Sequence, residues 1–142
     1  MACHSNLREG ELSRALGNQY EQHAKTHLES LGLVFLASNI VVNGGEIDLL
    51  MQSTVNAGEE LCLGEVCIVE VKGRGYSSQW SDEVVSAQKA KRWALAAQYV
   101  LWRLEDGEWD IIAPITGIQF VLVRIEKQTV DVTWHAIDLD LG

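Results

Sequence analysis

Proline occurs once, no two cysteines share the CxxC spacing, and no apolar run approaches the ~20 residues that a bilayer-spanning helix needs. Each absence closes a class. With 47% hydrophobic residues and one proline among 142, the chain is a packed globule long enough to bury its own core as a single domain. Cys3, Cys62 and Cys67 form an odd set, which suits reduced thiols in a reducing compartment, and Cys62 and Cys67 read as small buried hydrophobes at a strand. His4, His23, His27 and His135 have no spacing that joins them to the cysteines as zinc ligands. The polar stretch from Met1 to Glu11 lacks the apolar core of a secretory signal, so the expected location is the cytoplasm, with no membrane partner.

Basic residues are scarce as well: eleven Lys and Arg face twenty Asp and Glu, for a formal net charge of −9. Such a surface repels phosphates and by itself argues against nucleic acid. The distribution softens that argument. Lys72, Arg74, Lys89, Lys91 and Arg92 fall within positions 72 to 92, opposed there only by Asp82 and Glu83. The window reads either as a solvated helix face with its preceding loop or as a local basic surface for a polyanion.

What is present is a legible order of elements. Positions 1–11 read as a flexible leader, after which Leu12, Leu16, Tyr20, Ala24, Leu28 and Leu31 recur at helical spacing up to Gly32. Leu33 to Val42 reads as a strand, Asn43-Gly44-Gly45 as a turn, and Ile47 to Met51 as a short second strand. The polar segment from Gln52 to Gly64 reads as a hairpin connection into a third strand, Val66 to Val71. Gly73 to Ser81 is loop-like, and Ser81-Asp82-Glu83 starts a second helix that ends at Glu105-Asp106-Gly107. That helix is expected to face the sheet through Val84, Gln88, Lys91 or Arg92, Leu95, Tyr99 and Trp102. Ile118 to Ile125 and Val130 to Ala136 complete the set as strands, with a loose tail over 138–142. Helix, three strands, helix and two strands predict an α/β domain over 12–137 with a mixed sheet flanked by helices.

Against this frame the run Val69-Glu70-Val71-Lys72 is anomalous, because it puts two charges where an interior strand should continue apolar. Side chains alternate along a strand, so Glu70 and Lys72 share one face while Val69 and Val71 pack on the other. If the strand carrying Asp48 pairs with this one, the carboxylates of Asp48 and Glu70 converge and call for a cation, for which oxygen donors favour Mg²⁺ or Mn²⁺. Lys72 beside that ion could orient or deprotonate a water and neutralise charge on a phosphate. The same residues also read as a surface ion pair on an edge strand, with Asp48 capping a turn. Glu21 on the apolar stripe of the first helix and Gln88 on that of the second are two further polar intrusions.

The combined pattern resembles the PD-(D/E)xK nuclease superfamily, and within it the small YraN-like proteins, whose relatives include archaeal Holliday-junction resolvases. The matching pieces are Gly17-x3-Glu21-x2-Ala24-x3-Leu28-x3-Gly32, Asn39, Gly45-Glu46-Ile47-Asp48-Leu49-Leu50 and Val69-Glu70-Val71-Lys72-x-Arg74. Lys89, Arg92, Ala96 and Tyr99 follow, then the pair Trp109-Asp110. The resemblance implies a restriction endonuclease-like αβββαβ core, with Asp48 and Glu70 as metal ligands, Lys72 as the catalytic lysine, Glu21 as a helix-borne acid completing the site and Gln88 as a supporting polar residue. It implies a Mg²⁺- or Mn²⁺-dependent nuclease acting on DNA whose structure it leaves open, branched or flapped DNA being the natural guess, with Arg74, Lys89, Lys91 and Arg92 meeting the nucleic acid. A homodimer would suit symmetric cutting of two strands. The long acidic connection over 52–64, Glu108 in place of a common arginine and the negative net charge depart from the pattern. They keep open an alternative in which the chain binds nucleic acid or assembles with partners and cleaves weakly or not at all.

Overall fold

The computed structural model describes residues 9–42, 45–73 and 87–137, with side chains from 18 onward in the first segment and from 90 onward in the last. The leader up to residue 8, the turn residues Asn43 and Gly44, Arg74, the expected helix start at Ser81 and the tail over 138–142 lie outside the described residues.

Helix α1 spans Glu9–Ser30 and stops at Gly32, whose φ of 104° closes a turn that side-chain-bearing residues adopt at a cost. Three strands follow: β1 (Leu33–Val42), β2 (Gly45–Ser53) and β3 (Val66–Lys72). Helix α2 (Ala87–Glu105) precedes β4 (Ile118–Glu126) and β5 (Thr129–Ala136). The five strands form one sheet in the order β1-β2-β3-β4-β5. Neighbours are antiparallel except β3 and β4, which run parallel because α2 carries the chain back between them. This mixed sheet between two helices is the expected αβββαβ architecture.

Alternation along the strands builds two apolar layers. Leu49, Met51, Cys67, Val69, Val121 and Val123 face α1 and pack with Ala24 and Leu28. Leu50, Val66, Ile68, Ile118 and Phe120 face α2 and meet Ala97, Val100 and Leu104. The stripe expected on α2 is therefore corrected: Leu95 and Trp102 are 58% and 59% exposed, and the buried line runs through Trp93, Ala97, Val100 and Leu104. Small Ala97 lets the helix approach closely, and Trp93 lies flat on Phe120 with ring centroids 3.9 Å apart. Gln88, which the expected stripe included, has its side chain outside the described residues.

Gln52 is also corrected, since it belongs to β2 and is fully buried. Its amide donates to the Gly64 and Ala113 carbonyls at 3.0 and 2.8 Å and accepts from the Ile112 N–H at 2.9 Å. A polar side chain thus ties the end of β2 to the segment that leads into β4. Cys67 is buried, which pushes its thiol pKa up and keeps it inert, whereas Cys62 is exposed, against the expectation for it. Among the described residues no helix is long and apolar enough to cross a membrane.

Candidate functional site

The site begins where β2 and β3 part. Their ladder runs from Gln52↔Val66 to Leu49↔Val69 and ends there, although β2 starts at Gly45 and β3 continues to Lys72. Past that point β3 stays paired with β4 as far as Lys72↔Arg124, so β2 is the strand that leaves. Its departure exposes the Val71 N–H, a group that must find an acceptor when partly buried. Asp48 supplies one: its Oδ2 accepts the Val71 N–H at 2.8 Å. Across β1, the register Ser38↔Leu49 and Ile40↔Ile47 places Asn39 opposite Asp48, and Asn39 has φ 53°, a left-handed conformation that asparagine tolerates. The aspartate therefore sits between two ladder interruptions, its carboxylate in the gap of the splayed strands.

The other members arrive from three directions. Continuing the β2–β3 register puts Glu70 across from Asp48. Glu70 and Lys72 share the α2 face while Val69 and Val71 turn toward α1, as alternation requires. Lys72 Nζ lies 3.3 Å from Glu70 Oε2, with the two side chains 50% and 29% exposed. β3 is third of five strands, but β2 has left it at this end, so the pair is partly exposed and the surface alternative stays open. Glu21 comes from α1, which docks closely through Tyr20: a Cβ added at Gly73 would stand 2.3 Å from the Tyr20 ring. Glycine at 73 is thus what lets this turn of α1 settle over the end of β3.

Electrostatics tie the group together. Partial burial, the charges of Asp48 and Glu46, and a hydrogen bond to Asp48 raise the Glu21 pKa from 4.5 to about 7. Burial also raises Asp48, and Glu70 and Glu46 add to this, while the Val71 N–H and Lys72 act in the opposite sense. Glu21 therefore keeps its proton up to about pH 7 and hydrogen-bonds Asp48. Mutually repelling carboxylates at one sheet end are the arrangement that a cation relieves.

Among the described residues no group of three or more His, Cys, Asp and Glu side chains is gathered closely enough to hold a metal ion unaided. The donor chemistry nevertheless fits Mg²⁺ or Mn²⁺, because the acids offer only oxygen and such ions commonly take one or two carboxylates and fill their shell with water and phosphate. Glu21 meets Asp48, Lys72 meets Glu70, and Asp48 feels the charges of Glu70 and Lys72. Gln88 and Lys89 lie in α2 with side chains outside the described residues, and Lys91 and Arg92 are exposed on the same helix.

One residue beside this group escaped the sequence reading. Arg124, opposite Lys72 in the β3–β4 register and 7% exposed, reaches Asp131 Oδ2 at 3.2 Å and Thr133 Oγ1 at 3.3 Å. Its signal was an arginine interrupting the apolar run of β4, the same kind of anomaly that exposed Glu70.

Residues 20–105 match the model of a family described as uncharacterised protein family UPF0102. A UPF0102 protein of Photorhabdus laumondii is 35% identical over 116 residues, covering 76% of this chain and 83% of its own. One from Vibrio vulnificus is 32% identical over 129 residues, 91% of this chain and 95% of its own. One from Haemophilus influenzae is 30% identical over 130 residues, 91% of this chain and 98% of its own.

Proposed function

The chain belongs to UPF0102, the YraN family, and from that premise we propose that it is a metal-dependent endonuclease that hydrolyses phosphodiester bonds of DNA. What supports this reading is the run of pairwise contacts from Glu21 to Asp48 and from Glu70 to Lys72 at the open end of the splayed strands, with Asp48 feeling the charge of Glu70 and with Glu21 and Asp48 held above ordinary carboxylate pKa values. Four ionisable groups from three elements serve no packing purpose there.

Asp48 and Glu70 would hold the Mg²⁺ or Mn²⁺, with Glu21 completing the acid set. When bound, the ion supplies Lewis acidity toward the phosphoryl group and a lowered pKa for its water. The chain's own groups do the rest. Lys72, anchored by Glu70 and half in solvent, orients the attacking water and neutralises charge that builds on the phosphate oxygens. Glu21 hydrogen-bonds Asp48, and the Val71 N–H fixes its Oδ2. Lys91 and Arg92, with Arg74 and Lys89, would meet the nucleic acid.

A screen over single-stranded, duplex, flapped and four-way DNA, and RNA, with Mn²⁺ and with EDTA, tests the reading. Asp48→Ala and Lys72→Ala should each lower Mn²⁺-dependent cleavage by ~10²-fold or more while circular dichroism and melting stay native. Wild-type turnover in purified Lys72→Ala would refute its assigned role. The net charge of −9 favours one second reading, a nucleic-acid-binding or assembly protein that keeps the fold without efficient cleavage. Absence of Mn²⁺-dependent cutting on every substrate would select it.

A further inference from the structure

A cavity of about 160 Å³ opens between the sheet and the first turns of α2, and Glu70 lines it. Ile47, Ile68, Ala96 and Phe120 give it apolar surface, and Trp93, stacked on Phe120 at 3.9 Å with planes 13° apart, gives it a rigid aromatic one. Its charged lining is Arg92, Glu46 and Glu70. We propose that this cavity accepts one unpaired pyrimidine base from the nucleotide whose phosphate lies at the carboxylates, so that the protein selects DNA with a displaced or frayed nucleotide. The inference rests on the nuclease reading above and names its substrate class.

Size, chemistry and position support it. An enclosed apolar cavity of ~150 Å³ takes one benzene ring, so this pocket, open on one side, has room for a six-membered ring. Two carboxylates against one guanidinium make it a poor place for a phosphate, yet a good one for a neutral ring with both donors and acceptors. Arg92 can bond ring carbonyls or stack on the ring, and carboxylates accept from a ring N–H such as that of thymine or from exocyclic amino groups. Glu70 belongs to both the cavity and the ion pair with Lys72, so a single nucleotide would span the two. In an intact duplex the base is stacked and paired, and it can enter only after extrusion, which costs least where pairing is already lost.

The experiment measures binding of full-length protein to fluorescein-labelled duplexes carrying a one-nucleotide flap of thymine, adenine or an abasic sugar, in Ca²⁺ to hold off cleavage. Cutting of the same duplexes is then followed in Mn²⁺. The thymine flap should bind ~10-fold more tightly than the abasic one, with adenine between them. Ala96→Leu, which fills the cavity, should reduce that ratio to about one while leaving abasic affinity unchanged. Arg92→Ala, an exposed change that spares the core, should lower it severalfold. Equal wild-type affinity for thymine and abasic flaps overturns the proposal, as does an undiminished ratio in a folded Ala96→Leu protein. Base preference without cleavage in Mn²⁺ would sink the nuclease reading alone, and cleavage without base preference would sink the subsite alone.

Discussion

Replacing Glu21 by glutamine isolates the proton that it holds beside Asp48. Glutamine keeps an N–H to donate to Asp48, as the protonated acid does, but cannot ionise. The folded protein retains the Glu21 proton up to about pH 7, whereas the unfolded chain releases it near 4.5. Between those values the folded state binds more protons. Stability therefore falls as pH rises, and the contribution is whole below 4.5 and gone above 7. At full strength a shift of this size corresponds to roughly 3 kcal/mol, and solvent screening of a side chain only partly buried reduces it to about 1 kcal/mol. For a chain of this length that is a change in Tm of ~3 to 4 °C. The assay is thermal melting of wild type and Glu21→Gln in EDTA at pH 4.5, 6, 7 and 8. Normalised at pH 4.5, the variant should become the more stable of the two by that margin at pH 8. Comparing the pair at each pH cancels the titrating groups that do not interact with Glu21. A difference in Tm that does not change with pH would refute the retained proton.

The sheet was legible because its strands carry local signals. β1 lies as read over Leu33–Val42, a β-branched run between Gly32 and a glycine turn, and β3 extends one residue past the reading. The acids were legible as violations: Glu70 and Lys72 interrupt an apolar strand, and Glu21 interrupts an apolar helix stripe. The inward face of α2 was not. That helix carries apolar residues on both sides, among them Trp93, Leu95, Ala97, Val100 and Trp102, and periodicity offers two stripes of similar strength. The choice is made by Phe120, which stacks on Trp93 and is distant in sequence. Gln52 failed for a related reason. Its composition is that of a loop, and what makes it a buried strand residue is the backbone of Ile112 and Ala113, some sixty residues on. Polar side chains whose partners are non-local backbone groups have no periodic signature. Asp48 lies between these cases: its motif is visible, but its bond to Val71 follows from two strands parting, which only the register reveals.

Gln52→Leu keeps the volume and removes three hydrogen bonds, leaving the Gly64 and Ala113 carbonyls and the Ile112 N–H without that partner. At ~1 kcal/mol each the loss is about 3 kcal/mol, a fall in Tm of ~10 °C, and a fall under ~3 °C would refute the role of this side chain as a tie between β2 and β4. Gly73→Ala tests how α1 is held over the site. The added Cβ would meet three atoms of the Tyr20 ring at 2.3 to 2.8 Å, so either the ring or this turn of α1 must move. Overpacking of this kind costs ~1–3 kcal/mol. Because Glu21 follows Tyr20 directly, displacement of the turn also weakens its bond to Asp48. The pH-dependent gap in Tm that Glu21→Gln opens should therefore shrink when both proteins also carry Gly73→Ala. Tyr20→Leu removes the ring, so the double variant should lose less stability than the two single losses added together, by ~1 kcal/mol or more, in a double-mutant cycle read by urea melting. Strict additivity would mean that Gly73 and Tyr20 do not meet, and that the approach of α1 to the splayed strands is set elsewhere.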